Sequence, residues 1–198
     1  MIYKLIMKFH LVTLSNLFKQ INTIFGYICA FLVILMTVNV FVVVVLRYVF
    51  GISFIWMQET YVWMHAFIFM LGAGYAYLND DHVRIDIIYR NTKKRYKIIV
   101  NILGNVFLLL PFLYIIWSFS FPFVYRSFQM NEISREAGGL PMIFILKSAI
   151  LIFVILLFLQ VISKIIDDIL SFIQPDNEII SPKNIRRDLK WLLQIFWQ

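Results

Sequence analysis

Three histidines, one cysteine and a handful of acids and bases are the side chains of this 198-residue sequence that could ligate a metal, attack a substrate or relay a proton. A haem held between helices needs two imidazoles on facing spans at one depth. Of His10, His65 and His82, only His65 lies inside a long uncharged stretch. It therefore reads as a hydrogen-bonded helix-packing residue. The single Cys29 excludes an internal disulfide and any multi-cysteine metal site, and reads as a small buried hydrophobe. No HExxH helix, phosphate-binding glycine loop or nucleophile elbow occurs in the sequence. Asp80-Asp81 reads as solvated charge. The expectation is a chain without catalytic, cofactor-binding or metal-binding residues, and not an enzyme. Two ionisable groups inside or beside apolar stretches remain, Glu59 and Lys147.

The elements that would position them follow from composition. The chain is 62% apolar and 18% aromatic, with a mean hydropathy of +0.83. A soluble domain is roughly 45–50% apolar, so lipid must be part of this chain's solvent. A basic surface for nucleic acid would need a soluble face that the composition denies. The uncharged stretches Lys19–Arg47, Glu59–Asp80 and Lys97–Arg126, with an apolar run from Leu140 to Ser163 broken only by Lys147, predict four transmembrane helices. We place them near residues 22–46, 55–79, 98–123 and 140–163. The fold class is thus all-α integral membrane, a four-helix domain over 22–165. The first run is far longer than a signal-peptide core and lacks a small-residue cleavage site, so it is expected to stay.

Lys and Arg concentrate before span one, between spans two and three, and after span four. The other two loops hold only Arg47, Arg126 and Arg135. The positive-inside rule then places both termini in the cytoplasm. Residues 1–21 read as an amphipathic interfacial segment. In the 166–198 tail, Ser181-Pro182 is a helix start. Ile185, Leu189, Leu192, Leu193 and Phe196 line one face of an interfacial helix over about 182–197.

The spans differ in their fitness for lipid. Span one holds sixteen Ile, Leu, Val or Phe between Ile24 and Leu46. These are worth roughly −6 kcal/mol at about −0.4 each on an insertion scale. Span four is similarly rich and absorbs the roughly +3 kcal/mol of Lys147. Span two has only six such residues between Thr60 and Asn79, and should be surrounded by protein. Glu59, Trp63, Ala66, Met70, Ala73 and Tyr77 form one stripe on it, and His65, Gly72 and Ala76 another. Small residues let helices approach closely, so burial on two sides is expected, the second supplied by a partner subunit. Pro111 predicts a kink or local unwinding in span three. Asn101 and Asn105 either bond between helices or meet the interface.

Lys147 stands seventeen residues before Lys164, about 25 Å along a helix at about 1.5 Å per residue. That depth is close to that of Glu59, so the two could pair between spans two and four, or Lys147 could snorkel alone to the headgroups.

These residues also carry a family likeness. Arg47-Tyr48-Val49-Phe50-Gly51 follows span one, Trp56-Met57-Gln58-Glu59 opens span two, and Phe69-Met70-Leu71-Gly72-Ala73-Gly74-Tyr75 lies within it. Then come Asp81-His82-Val83-Arg84-Ile85-Asp86 with Tyr89, Ser134-Arg135-Glu136-Ala137-Gly138-Gly139-Leu140-Pro141, and Lys147-Ser148. In this order, over roughly residues 24–165, they resemble the small permease subunit of tripartite ATP-independent periplasmic (TRAP) transporters, the DctQ-like family, in its mannitol/chloroaromatic-type branch.

The resemblance implies secondary active uptake in a bacterial inner membrane, by a complex in which this chain supports rather than transports. A separate large permease would carry the substrate and Na⁺ sites. A periplasmic binding protein would deliver the solute transiently, and phospholipid would surround the complex. It also implies structural or subunit-contact roles for Arg47, Glu59, His82, Asp86, Glu136, Gly139, Pro141 and Lys147, beside Trp63, Ala66, Met70 and Ala73 from the helical stripe. The competing class is a four-helix redox or quinone-linked membrane anchor, which a haem absorption band would reveal.

Overall fold

The computed structural model describes residues 2–80 and 93–173. They form four helices long and apolar enough to cross a membrane, and no strand. We label them α1 (Ile2–Val49), α2 (Ile55–Leu78), α3 and α4 (Ile143–Ile173). α3 comprises Lys94–Gly104, a π turn Asn105–Leu109 and Leu110–Gln129.

Physical reasons for the boundaries are visible in the sequence. Gly51, at φ +66°, takes a conformation that side chains disfavour. There the chain turns from α1 into α2, and the Ile52 N–H returns to the Leu46 carbonyl at 3.0 Å. Pro111 has no N–H to donate. The turn just before it widens, with the Leu110 N–H reaching back five residues to the Asn105 carbonyl. The expected unwinding near Pro111 is therefore a single π turn, and α3 continues through Pro122.

α4 is the hub. It packs against α1, α2 and α3, whereas α3 packs on α4. In α4's most apolar stretch 39% of residues are buried, against 6–17% in the other three spans. One side of α4 contributes Val154, Leu157 and Val161 to a core with Leu113 of α3. Its other side brings Leu156 to Cys29 of α1 and Leu71 of α2. Span two was expected to be the surrounded helix. Within the chain α4 is the most buried span, while α2, the least apolar, packs on both α1 and α4 and is half-buried along most of its length.

α1 has no break between residues 2–21 and the span itself, so the expected terminal segment and first span are one helix of 48 residues. Its early turns lie along the last turns of α4, where Val12 meets Leu170. A polar seam continues this contact. Ser15 Oγ lies 2.9 Å from Ser163 Oγ and donates to Asp167 at 2.8 Å. Lys19 pairs with the other oxygen of Asp167 at 2.5 Å. One turn deeper, the Asn22 amide donates to Gln160 Oε1 at 3.2 Å and to the Leu156 carbonyl at 3.3 Å. Ser15, Asn22, Gln160 and Ser163 are among the most buried side chains of the described residues. Gly74 of α2 makes room for Asn22, since a Cβ there would lie 2.0 Å from Asn22 Oδ1. The expected 182–197 helix lies outside the described residues.

Candidate functional site

Far from the chain termini, the segment between α3 and α4 folds over the start of α2, and two carboxylates hold it there. Glu59, in the second turn of α2, accepts the Ser134 hydroxyl and, at 2.5 Å, the Leu140 N–H. Ser134 Oγ in turn accepts the Glu136 N–H at 3.2 Å. Gly139 is what lets the carboxylate in. A Cβ at that position would stand 2.5 Å from Ser134 Oγ and 2.7 Å from Glu59 Oε1. The loop closes on itself through Ser134 N–H to Leu140 O (3.2 Å) and Gly139 N–H to Glu136 O (3.0 Å). Left-handed backbone at Asn131, Gly138 and Met142 makes its sharp turns.

Glu132 makes the second clamp. It pairs with Lys147 of α4 and accepts the Ser127 hydroxyl of α3 at 2.6 Å. The Lys147 ammonium also lies 4.1 Å from the centre of the Phe123 ring, in range for a cation–π contact. The hydrogen bonds from Lys147 and then Ser127 hold the Glu132 carboxyl below its ordinary range. Neither alternative for Lys147, pairing with Glu59 or snorkelling alone, is thus what forms. Each group is taken by a nearer partner from the 130–140 loop, a carboxylate for Lys147 and neutral donors for Glu59.

The remaining expected positions divide by location. Arg47 is exposed in the last turn of α1, and Glu136 and Pro141 are exposed on the loop. Trp63, Ala66, Met70 and Ala73 run half-buried along one flank of α2. On that flank the Tyr77 hydroxyl donates to Asn105 at 2.5 Å. Asn105 is therefore an inter-helix hydrogen-bonding residue. His82 and Asp86 lie outside the described residues. Asp80, expected to be merely solvated, forms an ion pair with Lys164 at 3.1 Å. The polar seam of Ser15, Asn22, Gln160 and Ser163 was missed. Part of its signal was available, because Gln160 is an isolated amide in an otherwise apolar run, whereas Asn22 stands in the polar stretch Lys19–Thr23.

His65 is exposed on α2 rather than packed within the bundle. Among the described residues none hydrogen-bonds to its side chain. His10 is remote from it: the 19 residues from His10 to Cys29, which lies beside Ile68, span roughly 28 Å at about 1.5 Å per residue. Among the described residues no group of three or more His, Cys, Asp or Glu could hold a metal ion. Carboxylates and amides fix helices to one another and fix the loop to the bundle.

Comparison with known families agrees with the residue order. The family described as tripartite ATP-independent periplasmic transporters, DctQ component, matches residues 36–171. That segment runs from the last third of α1 to the last turn of α4 and includes both clamps. No curated protein and no solved structure matches the chain. A four-span bundle matched over most of its length by this family is a multi-pass inner-membrane protein, and the chain belongs to the DctQ component family, the small membrane subunits of TRAP transporters.

Proposed function

We propose that this chain is a stationary support in a sodium-coupled TRAP transporter of the mannitol/chloroaromatic-type branch. It forms a stable heterodimer with the large permease, which holds the Na⁺ and substrate sites. A periplasmic binding protein delivers the solute, a small organic molecule and most simply a carboxylate. Both termini face the cytoplasm, with the basic segments against the phospholipid headgroups. Arg135 and Glu136, exposed on the clamped loop, then face the periplasm and are available to the binding protein. Arg47, His82, Asp86, Pro141 and the Trp63–Ala73 flank serve structure and subunit contact.

One observation carries this reading. The polar side chains buried in the bundle bond helix to helix, as Asn22 does to Gln160 and Ser15 to Ser163. A carrier that must move one part past another needs a fixed element in the bilayer, and a bundle tied in this way suits that role.

Proteoliposomes containing the large permease, with and without this chain, test the proposal under an inward Na⁺ gradient with loaded binding protein outside. Uptake is expected only when both subunits are present, and none from this chain alone. Undiminished uptake by the permease without it, or transport by this chain alone, would overturn the reading.

A further inference from the structure

The surface of the bundle is uneven in its fitness for lipid. α3 exposes Phe107, Leu108, Phe112, Ile115 and Phe119, and α1 exposes Phe31, Ile34, Val38 and Phe41. Both faces suit hydrocarbon. The outward stripe of α2 does not. His65 and Phe69, exposed, and Gly72 and Ala76, half-buried, follow one another at helical spacing. His65 is exposed ten residues into a 24-residue span, close to mid-bilayer, where ionisable side chains almost always face protein or water.

Gly72 adds an independent sign. The other α2 glycine, Gly74, is required inside the chain, because a Cβ there would strike Asn22. A Cβ on Gly72 would meet only Cys29 Sγ, at an ordinary 3.8 Å. Glycine in a helix interior is unfavourable relative to alanine, and nothing in this bundle requires it at position 72. Gly104, likewise open, sits where α3 passes into its π turn. At Gly72, the close approach that a glycine permits must come from outside the chain.

We propose that the His65–Phe69–Gly72–Ala76 stripe seats a transmembrane helix of the large permease, with His65 hydrogen-bonded across the contact. The partner helix carries a polar group at the depth of His65 and a bulky apolar side chain over Gly72 and Ala76. This rests on the heterodimer proposed above and locates it on one face.

The experiment uses the complex co-expressed in membranes, with a photoreactive benzoylphenylalanine placed at Phe69 of α2 or, as control, at Phe119 of α3, which is 75% exposed. Irradiation is expected to join position 69, and not position 119, to the large subunit. In parallel, Ala76→Leu should lower the large subunit retained on purification about tenfold, while Ala30→Leu, on an exposed turn of α1, leaves it unchanged. Adducts from position 119 instead of 69, an adduct to a second copy of this chain, or full retention with Ala76→Leu would overturn the proposal. If the unmodified chain retains no large subunit, the heterodimer itself fails. If it retains it but position 69 stays unlinked, only the face is wrong.

Discussion

Replacing Gly74 by alanine adds one methyl group where α1, α2 and α4 meet. The new Cβ would lie 2.0 Å from Asn22 Oδ1, 3.0 Å from Asn22 Cγ and 3.3 Å from the Leu156 carbonyl. Asn22 has no exposed surface and must rotate, giving up its bonds to Gln160 and Leu156. Overpacking costs about 1–3 kcal/mol. Two inter-helix hydrogen bonds in a membrane add about 0.6 kcal/mol each, and the better helix propensity of alanine returns about 1 kcal/mol. The net loss is about 1–3 kcal/mol, or roughly a fivefold to hundredfold shift in the unfolding equilibrium. Reversible unfolding of the purified subunit in bicelles measures it. Gly72→Ala, two residues away with its nearest neighbour at 3.8 Å, is the control and should be neutral or slightly stabilising. Adding Asn22→Ala to Gly74→Ala removes the struck side chain and should recover part of the loss, with non-additivity because the sites touch. If Gly74→Ala is as stable as Gly72→Ala, the three-helix junction is not as described.

Lys147→Met and Glu132→Gln should be coupled in a double-mutant cycle, whereas Lys147→Met and Glu59→Gln should add independently; the reverse pattern would restore the rejected pairing. The Glu132 carboxyl titrates below its ordinary range because Lys147 and Ser127 bond to it. Its contribution is present above the unfolded-state value of about 4.3 and is lost as pH falls through the lower folded value. The stability gap between the native chain and Glu132→Gln should therefore be constant from about pH 8 to 5 and close only below about pH 4. Gly139→Ala, whose Cβ would meet Ser134 and Glu59, should speed amide exchange at Leu140 while leaving exchange in the middle of α4 unchanged. Equal protection at Leu140 in both proteins would contradict the Glu59 clamp.

The four spans are legible in the sequence because charge at their ends and apolar length are local properties. Span two, read as 55–79, is the helix Ile55–Leu78. The unwinding before Pro111 was legible for the same reason, since a missing N–H acts within one turn. Pairings across the bundle were not. Equal depth made Glu59 and Lys147 look like partners, but depth alone does not choose among groups at one level. The 130–140 loop supplies closer ones, and its fold depends on Gly138, Gly139 and left-handed turns. Hydropathy likewise did not single out the most buried helix. It measures fitness for lipid, so it marked α2 as needing cover, while packing inside the chain is set by which helix lies between the others, and that is α4. α2 is covered by α1 and α4 along most of its length, and what stays exposed on it is Trp56, Val62, His65 and Phe69.

Attachment of α3 shows how polar contacts fix this bundle. Helices in lipid have no hydrophobic drive toward one another, so an apolar contact such as Leu113 against Val154, Leu157 and Val161 leaves sliding along α4 weakly opposed. Polar ties toward each end of α3 oppose it. Asn105 accepts the Tyr77 hydroxyl, and Ser127 with Glu132 reaches Lys147. They are separated by 22 residues from Asn105 to Ser127, about 33 Å of helix at about 1.5 Å per residue. Moving α3 one turn, about 5.4 Å, breaks both ties together and leaves a carboxylate and an amide without partners near or inside hydrocarbon. A single tie would permit pivoting. Ties at both ends make translation and rotation costly at once, which is what a support beside a moving carrier requires.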